Sequence, residues 1–517
     1  MKKMKKMKMM KTLLALVLAL TLCLGCVSAS ACTAIYVGSA LTADGSTMFA
    51  RSEDISNSYN KVFYVAPAGL HKAGEVYQGC YGFTYTFTKD SYSYTAFSDD
   101  NLSGFCPDCG GQHAHTPYQA GGTNEMGLTV TATETLSGGC KAVKAVDPFN
   151  GETGIEEAEI PTVLLSECAT AKEAVALLLS IYDTVGAQGG SGIFIADHSE
   201  TWYIENVTGT QYIALCLSET VAFAVPNQSA IGLIDLDDPN VIASPKLIAV
   251  AQEAGTFVGD AEANVIDFIA SYLPDQKANG RYMSALAHFD PAFDKPAEEV
   301  TADDYAISNV GADGAIVPFY TNISVNRAFT VADIVAYYDI PGIGSTGNLE
   351  IHIFQTFAED SATDTVEWVA MDNGCWNVFV PYYPMLTTDV YAAYKLGTAS
   401  AQFVQEQPAE GLYYPTTGRV RDAEGNRVTV EGFKVLPANW ADSMYWTFDA
   451  LSNLCEMGNV TDEQKAAVEA ELAALQQIAY DAFAAMQADP DNATAISMQT
   501  AQTVHAKVVE LVNGLAQ

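Results

Sequence analysis

The sequence predicts an α+β protein in which antiparallel sheets are layered with helices. Strand patterns come in groups joined by short turns, and helical patterns lie between the groups rather than after every strand, which argues against a doubly wound parallel sheet. A second observation concerns the end of the chain: from about residue 440 the composition shifts to Ala, Glu and Gln at helical spacing, predicting a C-terminal helical extension.

The elements follow in order. "MKKMKKMKMMK" carries six lysines and no acid, and "TLLALVLALTLCLG" is an apolar run of 14, too short and wrongly flanked for a stable membrane span. With Ala29, Ser30 and Ala31 as an A-x-A cleavage site, residues 1–31 read as a secretory signal peptide. Cleavage leaves Cys32 as the first residue of a secreted protein. The alternative is lipid anchoring through Cys26 in "CLGC", although Cys23 stands where such boxes usually carry Leu. "TAIYVG", the turn "TADG" and the returning "STMFARSED" form a hairpin that begins at the cleavage site, and "GLTVTATET" (127–135) is a further strand. Thr170 and Glu173 make a T-x-x-E cap before the helical "AVALLLSIYDTVG". Four short strands follow: "GIFIAD", "TWYIEN", "QYIALCL" and "VAFAV". Helical patterns return at 245–254 and 261–273, and "NLEIHIFQTF" and "TVEWVAM" are strands that lead into "WNVFVPYYP". At the end, "TDEQKAAVEAELAALQQIAYDAFAAMQ", opened by a T-x-x-Q cap, and "AISMQTAQTVHAKVVELVNGLA" form a helical hairpin. The chain thus divides into residues 1–31, a main domain over 32–400 with a Cys/His-containing insertion at 98–121, and a linker with a helical region over 401–517. There is no repeat of fixed period, no Gly-rich phosphate loop and no Walker pattern.

Without residues 1–31, 19 basic side chains face 62 acidic ones, a formal charge of −43. Such a field repels nucleic acid and anionic membrane and keeps a protein soluble outside the cell. Hydrophobic residues at 49% supply a large core, so the charge does not signal disorder. Nine cysteines remain (32, 80, 106, 109, 140, 168, 216, 375 and 455), an odd number that leaves at least one thiol unpaired within the chain. Cys168 and Cys216 read as small buried hydrophobes.

An N-terminal cysteine holds two reactive groups. Its thiol is a nucleophile, and its α-amine, with an ordinary pKa of about 7.7–8.0, serves as a base without a histidine partner. "RSED" brings Arg51 and Asp54 back on the second strand of the hairpin, where Arg51 favours thiolate and Asp54 orients the amine.

"CTAIYVG…DGST…ARSED" resembles the N-terminus of the dipeptidases (the dipeptidase A-like peptidase family) of the N-terminal nucleophile hydrolase superfamily. The likeness continues through "TNEMGLTVTATET", "GIFIADHSETWYIENVTGTQYIA", "VAFAVPNQSAIG", "STGNLEIHIFQ" and "WNVFVPYYP", over roughly residues 32 to 390. It implies a four-layer αββα sandwich, a Cys nucleophile, and hydrolysis of dipeptides with no cofactor required. The related choloylglycine hydrolases and penicillin V acylases share the Cys, the Arg-x-x-Asp pair and a later Asn. Carried over residue by residue, Cys32 is the nucleophile, Arg51 and Asp54 are the pair, and Asn227 in "VPNQS" helps to bind the oxyanion. The acylases have another Asn about ten residues after the position of Asn124; here Glu134 stands there, so that donor is missing. A carboxylate in its place suits a dipeptide's ammonium, or is a structural strand residue. Arg327 is the match for the acylases' final Arg, in altered surroundings. Glu350 and His352 share one face of a strand, with substrate contact and a satisfied core histidine both open for His352.

"CPDCGGQHAH" departs from the family pattern. Cys106, Cys109, His113 and His115 supply two soft and two borderline ligands for a structural zinc, with a Cys106–Cys109 disulfide as the alternative. The leading expectation is an extracellular cysteine dipeptidase acting through an acyl-enzyme. The alternatives are an amide acylase of the bile-salt or penicillin V type, and a surface binding protein that keeps the fold without activity.

Overall fold

Alternation along the first hairpin sets up the layers. The computed structural model describes residues 32–55, 60–79, 82–100, 117–136, 138–421, 426–457 and 460–516. Residues 1–31, with Cys26 and the cleavage site, and the cluster Cys106, Cys109, His113 and His115 lie outside them. Strands β1 (Thr33–Val37) and β2 (Thr47–Asp54) pair antiparallel, with Thr33 opposite Ser52 and Val37 opposite Met48. The turn "TADGS" is held by Asp44, whose Oδ1 accepts from the Ser46 amide at 3.1 Å and hydroxyl at 2.6 Å, while Gly45 takes a φ of +78° that a side chain would resist. With a two-residue period, Ala34, Tyr36 and Phe49 face one side of the hairpin, and Ile35, Val37 and Met48 the other.

The main strands continue as β3 (Lys61–Ala66), β4 (Tyr94–Asp99), β5 (Gln119–Thr123), β6 (Thr129–Leu136), β7 (Gly190–Ala196), β8 (Thr201–Asn206), β9 (Tyr212–Cys216), β10 (Ala222–Val225), β11 (Val241–Ala243), β12 (Asn348–Thr356), β13 (Thr365–Met371) and β14 (Val380–Tyr382). They build a six-stranded sheet in the order β10-β1-β2-β12-β13-β14 and an eight-stranded sheet in the order β11-β9-β8-β7-β6-β5-β4-β3. The four strands expected in succession do not stay together. β7, β8 and β9 pair with one another, then β10 crosses to the other sheet and pairs with β1, Ala34 opposite Val225.

Between the sheets lies an aromatic core. The Phe194 ring is 5.5 Å from Phe49, 5.9 Å from Phe223 and 6.0 Å from Tyr36, and Phe49 is 5.2 Å from Phe354. The helices are α1 (Lys141–Val146), α2 (Ile160–Glu167), α3 (Ala171–Thr184), α4 (Leu247–Ala254), α5 (Phe268–Tyr272), α6 (Gly280–Phe289), α7 (Val331–Tyr338), α8 (Met444–Met457), α9 (Asp462–Ala488) and α10 (Ala493–Leu515). On the outer face of the eight-stranded sheet, Val163, Leu164 and Leu178 of α2 and α3 pack with Val130, Ile193 and Ile195. On the outer face of the other, Tyr282, Tyr338 and Met486 pack with Ile35, Ile351 and Trp368, whose ring lies 5.3 Å from Phe483. The layers therefore run helix, sheet, sheet, helix, as the αββα expectation has it. Among the described residues no helix is long and apolar enough to cross a membrane.

Caps behave as their sequences specify. Thr170 accepts from the Glu173 amide at 3.3 Å, and Thr461 and Gln464 form the reciprocal box that opens α9. The helix expected over 261–273 is corrected. Gly259–Asp260 and Val265–Asp267 pair as short strands, Asn264 turns the chain at a φ of +55°, and Asp267 caps a helix of only five residues. The polar Asp and Asn side chains there favour turn and cap over helix interior.

Packing continues across residue 400, the boundary expected for the main domain. Met444, Tyr445, Trp446 and Leu451 of α8 are buried in the same core cluster as Phe63, Tyr382 and Tyr394. Trp446 Nε1 donates to Thr398 Oγ1 at 2.5 Å, and Lys434 Nζ meets Asp449 Oδ1 at 2.6 Å inside this junction. Helices α9 and α10 complete the outer layer over β13 and β14. Helices α8, α9 and α10 thus bury their apolar faces against the sandwich. Trp446→Ala should cost about 3–5 kcal/mol, as truncation of a fully buried Trp does. Urea unfolding reads this, and a loss under about 1 kcal/mol would mean that α8 is peripheral.

Candidate active site

The site grows from the face of β2 that carries Phe49, Arg51 and Glu53 into the space between the sheets. Arg51 is fully buried. Its Nη2 donates to Cys32 Sγ at 3.3 Å and to Tyr118 Oη at 2.6 Å, and its Nη1 donates to the Ala120 carbonyl at 3.4 Å. Tyr118 in turn donates to Glu157 Oε1 at 3.2 Å, and Glu157 Oε2 lies 3.8 Å from the guanidinium. Burial disfavours the guanidinium's charge, but Tyr118, Cys32, Glu157 and Glu53 outweigh it and hold Arg51 protonated. For Cys32 the balance goes the other way. Burial pushes its thiol up to about 12; Arg51 opposes this, while Glu157, Asp54 and Glu53 add to it. Arg51 therefore favours thiolate, as its place in the sequence suggests, without making thiolate the resting state.

Asp54 closes the other side. Asn348 Nδ2 donates to its Oδ1 at 2.6 Å and Arg281 Nη1 lies 3.9 Å from its Oδ2. Burial pushes its carboxyl up to about 6 against those two partners.

Arg281 is the residue that sequence reasoning missed. It sits in the first turn of α6, whose cap Asn279 accepts from the Tyr282 amide at 2.9 Å and donates to the Pro226 carbonyl at 2.7 Å. From there Nη1 donates to the Cys32 carbonyl at 2.8 Å and to Thr33 Oγ1 at 2.6 Å. Nη2 donates to the Pro226 carbonyl at 3.3 Å and to Asn227 Oδ1. Arg327, expected in this part, is instead 3.3 Å from Asp333, donates to the His288 carbonyl at 3.0 Å, and lies over the Phe329 ring. It has its own ion pair and is not among the groups that surround Cys32.

Asn227 takes a left-handed φ of +59°, uncommon for any residue but Gly and best tolerated by Asn. Because Arg281 can only donate, Asn227 Oδ1 is committed and its Nδ2 is left as a donor. The loop is pinned from beneath by Glu205 of β8, a buried carboxyl that accepts from Ser229 Oγ, from the Ala230 amide at 2.7 Å and from Tyr203 Oη at 2.7 Å. Beside it lies a cavity of about 440 Å³ lined by Gly138, Cys140, Asn227, Gln228, Leu273, Asp275, Gln276 and Lys277.

Glu350 and His352 share a face of β12, as expected, and that face is the interior. His352 Nδ1 is 2.8 Å from Glu350 Oε2, its Nε2 is 2.8 Å from Thr131 Oγ1, and its ring stacks on Phe97. Both residues are fully buried and both ring nitrogens of His352 are engaged within the protein. Nearby, Lys61 Nζ bridges Glu53 at 2.7 Å and Asp99 at 2.6 Å. Glu134 belongs to β6, at the register shift between Thr133 and Leu136; its side chain is outside the described part. Among the described residues, no group of three or more His, Cys, Asp or Glu is placed to hold a metal ion, and six cysteines (32, 140, 168, 216, 375 and 455) are free thiols.

A model of peptidase family C69 matches residues 31–406. A probable dipeptidase from Salmonella dublin is 32% identical over 272 residues, 52% of this chain and 58% of that protein. A dipeptidase from Bifidobacterium longum (strain NCC 2705) is 23% identical over 403 residues, 69% of this chain and 72% of that one. The chain spans about half the length of the curated relatives that it matches above 30% identity. Among solved structures, penicillin V acylase from Agrobacterium tumefaciens aligns at 13% identity, covering 68% of this chain and 85% of that chain with a TM-score of 0.29.

The support under Asn227 carries a pH signature. Burial pushes the Glu205 carboxyl from 4.5 up to about 7, against the hydrogen bonds from Ser229, Ala230 and Tyr203. Its contribution to stability is therefore fully present below about pH 4.5 and is lost as the pH rises through about 7. Glu205→Gln cannot ionise, so its Tm should gain on that of wild type between those pH values. A Tm difference that stays constant across the window would refute this account of Glu205.

Proposed function

The chain belongs to peptidase family C69, and on that premise we propose that it is a secreted cysteine-type dipeptidase whose nucleophile is created when residues 1–31 are cleaved away. The observation that carries the reading is the way residue 32 is held. One arginine grips its sulfur, Arg51 at 3.3 Å, and another grips its carbonyl oxygen, Arg281 at 2.8 Å, so the residue is fixed at the start of β1.

The resting thiol, pushed up to about 12, needs a base close at hand. After cleavage the α-amine of Cys32 is that base, with Asp54 as the nearby carboxyl that orients it. As Sγ forms its bond to the scissile carbonyl carbon, the thiol proton passes to the amine. The carbonyl oxygen becomes an oxyanion, to which Asn227 Nδ2 donates. The C–N bond then breaks, and the leaving amino acid takes the proton back from the ammonium. Water, deprotonated by the same amine, attacks the thioester; the C–S bond breaks and the second amino acid leaves, restoring the thiol. Arg51 offsets negative charge on sulfur throughout. No step asks for a metal.

N-terminal sequencing of secreted material should read Cys-Thr-Ala-Ile-Tyr. A start at an acylated Cys26 with no later trimming would sink the mechanism, since the Cys32 nitrogen would remain a peptide nitrogen. On a panel of dipeptides, iodoacetamide should abolish turnover. Cys32→Ser should lose at least about a hundredfold while keeping the wild-type Tm, because a hydroxyl is a much poorer nucleophile than a thiolate. Cys32→Ala retaining wild-type turnover would require another nucleophile.

A further inference from the structure

A dipeptide carries a free carboxylate, and this chain has a formal charge of −37. A field of that sign opposes an anionic group unless a local cation offsets it. Two arginines nearest the thiol are already committed. Arg51 is fully buried against Tyr118, Ala120 and Cys32, and Arg281 is spent on the Cys32 carbonyl, Thr33 and the Asn227 loop.

Lys277 is differently placed. It lines the same cavity of about 440 Å³ as Asn227, the donor assigned to the oxyanion. That volume lies within the range of roughly 300–1,000 Å³ usual for small-molecule sites. Its backbone is fixed to the Asn227 loop from both sides. Gln228 Nε2 donates to the Lys277 carbonyl, and Gln228 Oε1 accepts from the Asn279 amide at 2.9 Å. One residue earlier, Gln276 exchanges hydrogen bonds with the backbone of Ser229, both at 2.9 Å. Its side chain is exposed, and among the described residues no hydrogen bond or ion pair engages its Nζ. Among the described lining residues the one carboxylate is Asp275, two residues away. The described part of the lining therefore presents one charge of each sign, which suits a zwitterion better than a singly charged ligand.

We propose that Lys277 binds the terminal carboxylate of a dipeptide whose scissile carbonyl lies against Asn227. This rests on the dipeptidase reading above and adds to it a substrate-recognising residue. An ammonium on a flexible stem meets a carboxylate as a point charge, so the contact selects for charge rather than for side-chain identity.

The test compares kcat/KM for Ala-Ala with that for its C-terminal amide in wild type, Lys277→Met, Lys277→Arg and Lys277→Glu. Wild type should favour the free acid by at least about tenfold, which corresponds to about 1.4 kcal/mol. Lys277→Met should shrink that ratio about tenfold, chiefly through KM for the free acid. Lys277→Arg should preserve it, and Lys277→Glu should invert it. If wild type cleaves both substrates and Lys277→Met leaves the ratio unchanged, the carboxylate site is overturned while the dipeptidase reading stands. If wild type cleaves neither, both fall.

Discussion

A guanidinium without solvent contact is the constraint around which this molecule is arranged. Taking such a charge out of water is costly unless its donors are met. The two terminal nitrogens of Arg51 are met by the Tyr118 hydroxyl, the Ala120 carbonyl, the Glu157 carboxylate and the Cys32 sulfur, while Nε has no hydrogen-bond partner among the described residues. Those partners come from both sheets and from the segment leading into α2, so the layers must close in one register for the charge to be accommodated. The neighbouring Glu53–Lys61–Asp99 bridge and the Glu350–His352–Thr131 chain extend the same polar seam between the sheets. Around this seam the aromatic core of Phe49, Phe194, Phe223 and Phe354 supplies apolar burial, while the polar groups restrict which packing is acceptable.

The C-terminal helices belong to the same economy of burial. Asp372, at a left-handed φ of +73° just after β13, accepts from Ser452 of α8 at 2.5 Å. Its neighbour Asp449 is met by Lys434 and Tyr414. These contacts join the end of the six-stranded sheet to residues 42 to 80 positions later, so strand ends and helix α8 are mutually dependent. A family match that stops at residue 406 thus stops short of the chain's structural unit.

Local signals in the sequence were legible. Period-two strands, the turn at Asp44–Gly45, the caps at Thr170 and Thr461, and the shared face of Glu350 and His352 all depend on residues within a few positions of one another. The hairpin also made Arg51 and Asp54 readable, because a strand that returns after 19 positions brings its end beside its beginning. Long-range pairing was not legible. Nothing in "NGRYMS" ties Arg281 to a carbonyl 249 positions earlier. What would have favoured Arg281 is the asparagine cap before it, which places the next residues in a first helical turn. Burial was the other hidden variable: His352 as a strand residue is compatible with a pocket or a core until the opposite sheet is in place. Between 261 and 267 the helical period was present, but Asn264 and Asp267 prefer turn and cap, and local hydrogen bonding prevailed.

Arg281 grips residue 32 through its carbonyl oxygen and through the hydroxyl of Thr33, and Tyr338 adds a hydrogen bond to the Thr33 carbonyl at 3.0 Å. None of these contacts uses the nitrogen of Cys32. The anchor of the first strand is therefore indifferent to what that nitrogen carries, whether a peptide or two protons. Breaking a bond at that nitrogen would alter charge and access at the sulfur without dismantling the scaffold. In that sense maturation would be a chemical event on a finished fold, closer to removing a protecting group than to a folding step.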